Sequence, residues 1–243
     1  MPRCLIIPDV HLHYKMFDRA DGVLKSGQAD MAIQMGDLVD DWGEEFNVPL
    51  YDRTLARVIK FHEDHPGTLW VMGNHDYGYH HPHMGVKESG HSRFAEVGVL
   101  EWIEDMEKAG IKQKIMHLMD NVIFTHAGLT DNWVRNRLKI VGYRPGMKPS
   151  MYNLVHAVNN VSPEELWRED SPIWARPQQH EYKMYGKYFQ VVGHTPVRSP
   201  IQKNNLLSTD TFSTYQDGRP FGDGRFVIVD TKTKNWRLAE EDT

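Results

Sequence analysis

Short apolar runs, each closed by a glycine, a proline or a polar cluster, recur along the chain, and stretches of helical spacing lie between the first of them. The run "RCLIIP" predicts a strand at about 3–8, followed by a helix within 15–28. "DMAIQM" (30–35) predicts a second strand that stops at Gly36. Leu55, Val58, Ile59 and His62 fall on one face of a helix within 50–64, and "GTLWVM" (67–72) predicts the third strand. Residues 77–93, rich in His and Gly, read as a loop. A long helix is expected over 92–109, with Gly110 as its C-terminal stop.

Further along, "KIMHL" and "NVIFTH" predict a hairpin that turns around Met119 to Asn121. Residues 131–170 read as largely helical, with breaks near Pro145 and Pro149. "YFQVVGH" (188–194) is another strand, and "LLSTDTF", "RFVIVDT" and "NWRLA" read as short strands of a sheet. There is no internal repeat, low-complexity tract or dividing linker. Strands alternating with helices, then a strand-rich end, predict one α/β layered domain over 1–243.

Composition adds limits to this picture. The chain has 243 residues, 40% of them hydrophobic and 25% charged, which suits a globular protein with a sizeable core. A net charge of −5 gives no reason to expect nucleic acid or an anionic membrane as a partner. No apolar stretch approaches the length that spans a bilayer. Cys4 is the single cysteine, so no intramolecular disulfide is available; it lies in an apolar run and reads as a core residue. A reducing, cytoplasmic setting is the default expectation.

The candidate chemistry sits where strands end. "IIPDVHLH" delivers Asp9 and His11, "IQMGDLVDDWG" delivers Asp37 and Asp40, and "WVMGNHD" delivers Asn74 and His75. "VIFTHAG" ends in His126 and "QVVGHTP" in His194. Any one of these reads equally well as a turn or a helix cap. Together, five apolar runs place carboxylates, an amide and imidazoles at their ends, where the sites of α/β sheets form. Such an oxygen and nitrogen donor set suits Mn, Fe, Zn or Ni and lacks the thiolates of a structural zinc site.

In this order, "DVH", "GDLVD", "GNHD", "THAG" and "GHT" resemble the signature of the calcineurin-like metallophosphoesterases, from Asp9 to His194. The resemblance implies two central mixed β-sheets flanked by helices, and two divalent transition-metal ions, manganese in first place. It implies that Asp9, His11 and Asp37 hold one metal. Asp37 would bridge to a second, completed by Asn74, His126 and His194. His75 would give a proton to the leaving oxygen, and Asp40 would orient His75. Many relatives carry a second histidine after the last motif; here that place is Pro196. The chain thus looks like the branch of phosphoprotein phosphatases and dinucleoside tetraphosphatases.

The same branch usually has an arginine after the second aspartate of "GDLVD", where Asp41 and Trp42 stand here. Arg176, in "DSPIWARP", is the substitute expected to bind a substrate phosphate, with Arg93 a weaker candidate. Tyr77, Tyr79 and His80 follow His75 and are further candidates for substrate contact. His80, His81 and His83 could hold a third metal, although exposed loop positions are the simpler reading. Asp76 reads as a residue that fixes the loop, and Asp210 as either a site residue or a cap. The expected substrate is a phosphomonoester. Phosphodiester, nucleic-acid or dinucleoside-polyphosphate hydrolysis stands as the alternative within the enzyme class, and a non-catalytic interaction scaffold as the alternative outside it.

Overall fold

The computed structural model describes residues 2–138 and 150–240. It contains two mixed sheets. In the first, strands β1 (Arg3–Ile7), β2 (Met31–Gln34), β3 (Leu69–Val71) and β4 (Gln113–Lys114) are parallel neighbours. Strands β10 (Val227–Asp230) and β11 (Trp236–Leu238) extend it antiparallel from β1. The second sheet runs in the order β5 (Met116–Met119), β6 (Val122–Thr125), β7 (Phe189–Val192), β9 (Leu206–Ser208) and β8 (Ile201–Lys203). Within it β6, β7 and β9 are parallel.

The period-two alternation of the strands sorts their side chains into layers. Cys4 and Ile6 of β1, Val122 and Phe124 of β6, Phe189 and Val191 of β7, and Val227 and Val229 of β10 form the core between the sheets. Leu5, Ile7 and Ile228 point the other way. They pack against helices α1 (Met16–Lys25), α2 (Val48–Asp64) and α4 (Glu96–Lys108) through Phe17, Tyr51, Leu55, Val58, Phe61 and Val99. On the outside of the second sheet, Ile123 meets Trp133 of α5 (Asp131–Asn136), Leu154 of α6 (Met151–Asn159) and Leu166 of α7 (Pro163–Leu166). The layered α/β expectation and the two helix-flanked sheets both hold.

Local signals explain several boundaries. Asp120 and Asn121, between β5 and β6, have φ of 48° and 76°, the double positive that a type I′ hairpin turn requires. At the end of α4, Ile111 N donates to Met106 O and Gly110, at φ 90°, donates to Glu107 O, closing the helix as predicted. The apolar face of α2 is turned from the expected one. Tyr51, Thr54, Leu55, Val58 and Phe61 are buried, whereas Ile59 only flanks the core and His62 accepts from Trp70 Nε1 at 3.2 Å.

Three elements differ from the sequence reading, among them β4, which separates Lys114 from the expected strand "KIMHL" and adds it to the first sheet. The expected loop begins inside a helix, α3 (Asn74–His80), started by Asp76 Oδ2 accepting Gly73 N–H at 3.2 Å. The edge strand β8 was not expected; its residues are exposed and show no alternation. The helical reading of 131–170 holds for α5, α6 and α7, and its breaks at Pro145 and Pro149 lie outside the described residues. Among the described residues no helix is long and apolar enough to cross a membrane.

Candidate metal centre and cavity

The C-terminal ends of the parallel strands of both sheets converge. Gly193 N–H at the end of β7 donates to His126 O after β6, and His194 N–H donates to Asp9 Oδ2 after β1 at 2.9 Å, so the sheets are tied at this edge. Backbone strain is concentrated here. Of nine described non-glycine residues with positive φ, four are His11, Asp37, Asp40 and His194. Residues held in that region persist where their surroundings over-determine them, and they cluster at functional sites.

Two trios of metal-ligating side chains have donor atoms within 4.8 Å of one another: His11, Asp37 and His75, and Asp37, His126 and His194. Asp37 belongs to both. Its Oδ2 lies 3.2 Å from His126 Nε2 and 3.7 Å from His11 Nε2. His126 Nε2 also lies 3.0 Å from Asn74 Oδ1 and 3.2 Å from His194 Nδ1. The opposite ring nitrogens are anchored: His126 Nδ1 on Met35 O at 2.8 Å, His11 Nδ1 on Asp40 O at 2.7 Å. Carbonyl anchors of this kind set the tautomer and leave Nε2 free to bind a cation. Asp9 stands in neither trio. Burial and the nearby Asp210 carboxylate push its carboxyl well above the usual range.

The donor set fits divalent cations. Asp9, Asp37, Asp76 and Asp210 are all buried, and burying carboxylates is costly unless positive charge compensates them. Oxygen and imidazole donors from five strand ends, shared through one carboxylate, are the kind that hard-to-borderline metals take. Two glycines make the close approach feasible. A Cβ on Gly73 would overlap Asp37 Oδ1 and its backbone nitrogen, and one on Gly193 would overlap Asp9 Oδ1.

Beside the trios, His75 Nδ1 lies 3.2 Å from Asp40 Oδ2, and His75 N–H donates to Asp37 Oδ1 at 2.9 Å. Burial works against a charged His75, but the Asp37 and Asp40 carboxylates outweigh it and lift the imidazole to about 9. A cavity of about 420 Å³ opens over these groups, lined by His11, Asp37, Asp40, Asn74, His75 and His194, with Trp42, Glu88, Trp174 and Arg176 on its walls. All of the predicted site residues except Asp9 and His126 line it; those two lie beneath.

A family model of the calcineurin-like phosphoesterases matches residues 2–223, a span that includes every one of these strand ends. The chain belongs to that family. It is a metal-dependent phosphoesterase, and the family implies divalent metal ions where the His and Asp groups meet. The fold is similar to that of a cold-active protein tyrosine phosphatase, at a TM-score of 0.57 and 14% identity over 98% of this chain and 78% of that one. It is also similar to a hypothetical protein, PH1004, from Pyrococcus horikoshii OT3, at a TM-score of 0.51 and 11% identity over 99% and 88%. No curated protein matches the chain.

Several weaker readings can now be placed. Arg176 lies on the cavity wall with Nη1 3.4 Å from His194 O, whereas Arg93 is exposed away from it. Asp41, where an arginine was expected, is engaged by His13 Nε2 at 3.1 Å and Trp42 N–H at 2.8 Å. Tyr77, Tyr79 and His80 do not contact the cavity as expected, because α3 carries them inward. Tyr77 packs against His81 and Trp167, Tyr79 donates to Asp40, and His80 pairs with Gln113. Asp76 ties Leu38 N–H, Gly73 N–H and Gln113 together and so joins the second and third motifs. Asp210 is capped by Ser213 Oγ at 2.8 and 2.9 Å. Neither metal-ligating trio includes His80, His81 or His83. Sequence reasoning missed Glu88 on the wall, which stands in a loop without a pattern that would mark it; Trp42, noted only as standing where an arginine is usual, lines the wall as well.

Proposed function

We propose that the chain hydrolyses phosphomonoesters. In this reading Asp9, His11 and Asp37 hold one divalent transition metal, and Asp37, Asn74, His126 and His194 hold a second. Manganese is the first choice for such donors. When bound, the cations supply Lewis acidity toward the phosphoryl oxygens and toward the attacking water.

The chain's own groups do the rest. Arg176, on the wall, presents a guanidinium to the phosphate oxygens, the group best shaped to grip them. Water's oxygen bonds to phosphorus as the bond to the ester oxygen breaks on the opposite side. The electron pair leaves on the ester oxygen, which takes a proton from His75, and the proton lost by the water later restores it. Asp40 holds Nδ1 of His75, so Nε2 is the atom that gives the proton.

The observation that carries this reading is the His75–Asp40 contact at 3.2 Å beside the shared carboxylate of Asp37, on the floor of the cavity. Support for a monoester comes from the walls. Asp41, kept charged against its burial by its hydrogen bond with His13, adds negative charge there, which disfavours a polyanion such as nucleic acid.

The test is hydrolysis of p-nitrophenyl phosphate and bis-p-nitrophenyl phosphate by metal-free protein, with and without manganese, for wild type and Asn74→Ala. Manganese-dependent turnover of the monoester, lost in the variant, is expected. Preference for the diester would replace the monoester reading. No turnover of either ester by protein carrying two metals would overturn it.

A further inference from the structure

Asp40 is fully buried, and every oxygen it owns is committed. Its backbone oxygen accepts from His11 Nδ1, and its carboxylate oxygens divide their partners. Oδ2 faces His75 Nδ1 at 3.2 Å, and Oδ1 accepts two tyrosine hydroxyls, Tyr79 at 2.6 Å and Tyr51 at 3.0 Å. Both tyrosines are only 1% exposed.

The direction of the shorter bond is determined. Ser92 N–H donates to Tyr79 Oη at 3.1 Å, so this hydroxyl accepts from the loop before α4 and gives its own proton to Asp40. Tyr51 also reaches Gly90 O, at the longer distance of 3.3 Å. Tyr79 follows His75 by four residues on α3, so one face of that helix presents both groups to the two ends of one carboxylate. A carboxylate has a soft terminal torsion and would otherwise be free to swing. Two hydroxyls on Oδ1 remove that freedom and aim Oδ2 at His75.

We infer that Tyr51 and Tyr79 are positioning residues for the proton donor, acting through Asp40 to hold His75 toward the leaving oxygen. The inference rests on the proposed role of His75 as that donor. Two tyrosines that merely fill the core would have no such effect, since phenylalanine fills the same space.

The leaving group tells these cases apart. Phenyl phosphate releases a poor leaving group that needs a proton, and p-nitrophenyl phosphate releases a good one that needs it less. The variants are Tyr79→Phe, Tyr51→Phe, the double variant and His75→Ala, each reconstituted with manganese and checked for metal content. General acids contribute about 10²–10⁴-fold. Loosening the donor is expected to cost roughly 10-fold or more of kcat on phenyl phosphate, several-fold more than on p-nitrophenyl phosphate, with KM and metal content kept. Tyr79→Phe should show the larger effect of the two single variants.

Equal losses on both esters, or none, in Tyr79→Phe would overturn the inference, provided His75→Ala shows the selective loss. If His75→Ala itself shows no leaving-group selectivity, the donor role fails, and the inference falls with it. Should the double variant not fold, Tyr79→Phe alone decides.

Discussion

His194 Nδ1 lies 3.2 Å from His126 Nε2, deep in the protein, and Asp37 Oδ2 lies 3.2 Å from the same His126 nitrogen. Burial lowers both imidazoles. Asp37 and Asp9 outweigh it at His126, which rises to about 10, and the charge on His126 then helps to hold His194 well below its ordinary value. One proton serves where two rings and a carboxylate converge. A divalent cation satisfies all three donors at once.

Metal removal should therefore destabilise the fold as well as stop turnover. A ligand at 100 times its Kd stabilises by about 2.7 kcal/mol. For a chain of this size that is a rise in Tm of roughly 5–10 °C. Thermal scans with a chelator, then with manganese restored, check this. An unchanged Tm would mean that the buried carboxylates are compensated without a cation.

His75→Ala separates two roles that geometry alone leaves side by side. His75 stands in a trio with His11 and Asp37, yet it also faces Asp40. As a proton donor its loss should cut kcat by about 10²-fold or more with both metals retained. Elemental analysis of the variant decides: loss of one metal equivalent would make His75 a ligand instead.

Gly73→Ala should damage the centre from outside the ligand set. Gly73 has φ −92°, so its backbone suits any residue, and the obstacle is the Asp37 carboxylate against its Cα. Making room would push Asp37 out of both trios. The expected cost is about 1–3 kcal/mol, with reduced metal occupancy. Full occupancy and wild-type Tm would refute the argument.

Close packing of this kind leaves a mark in the amino-acid sequence. A glycine followed by Asp, Asn or His at the end of an apolar run is visible in the chain, because close approach demands the glycine and the strand supplies the apolar run. Gly36, Gly73 and Gly193 mark three of the five strand ends in this way. Helix α3 was hidden because Gly78 and His80 carry weak helical preference, and because its N-cap is Gly73, which has no side chain to mark the start that Asp76 makes three residues later. Tyr79 read as a candidate for substrate contact and is buried instead; nothing in spacing reveals that its hydroxyl, with that of Tyr51, meets Asp40. The partition of the tail between sheets was equally silent, since "LLS" and "VIVD" are both short, buried, mainly apolar runs but join different sheets.

Arg176→Ala should weaken substrate capture more than it slows chemistry. Arg176 is on the cavity wall and its hydrogen bond to His194 O is long at 3.4 Å, so the guanidinium is available to an anion. A hydrogen bond to a charged group is worth about 1.5–3 kcal/mol, or roughly 10–100-fold in kcat/KM. Inorganic phosphate should inhibit the variant correspondingly less. Equal inhibition of both proteins would remove Arg176 from the phosphate site.

Away from the centre, His117 gives the fold a measurable pH dependence. It lies on β5, and its Nε2–H donates to Trp70 O on β3 at 2.9 Å, which pins the second sheet to the first. Burial lowers its imidazole from the ordinary 6.5 to about 4, against the raising effect of that bond. Above pH 6.5 the ring is neutral in folded and unfolded chains, and its contribution to stability is complete. As pH falls, the unfolded chain takes up the proton first, and stability drains away until the folded ring also titrates near 4. The loss amounts to about 2–3 kcal/mol. Other carboxyls titrate in the same window, so the comparison is with His117→Gln, whose amide can still donate to Trp70 O. Urea unfolding at pH 7 and pH 4 should show the gap between wild type and variant shrinking, or reversing, by that amount as pH falls; a gap that stays constant would mean that His117 does not carry the buried neutral ring assigned to it.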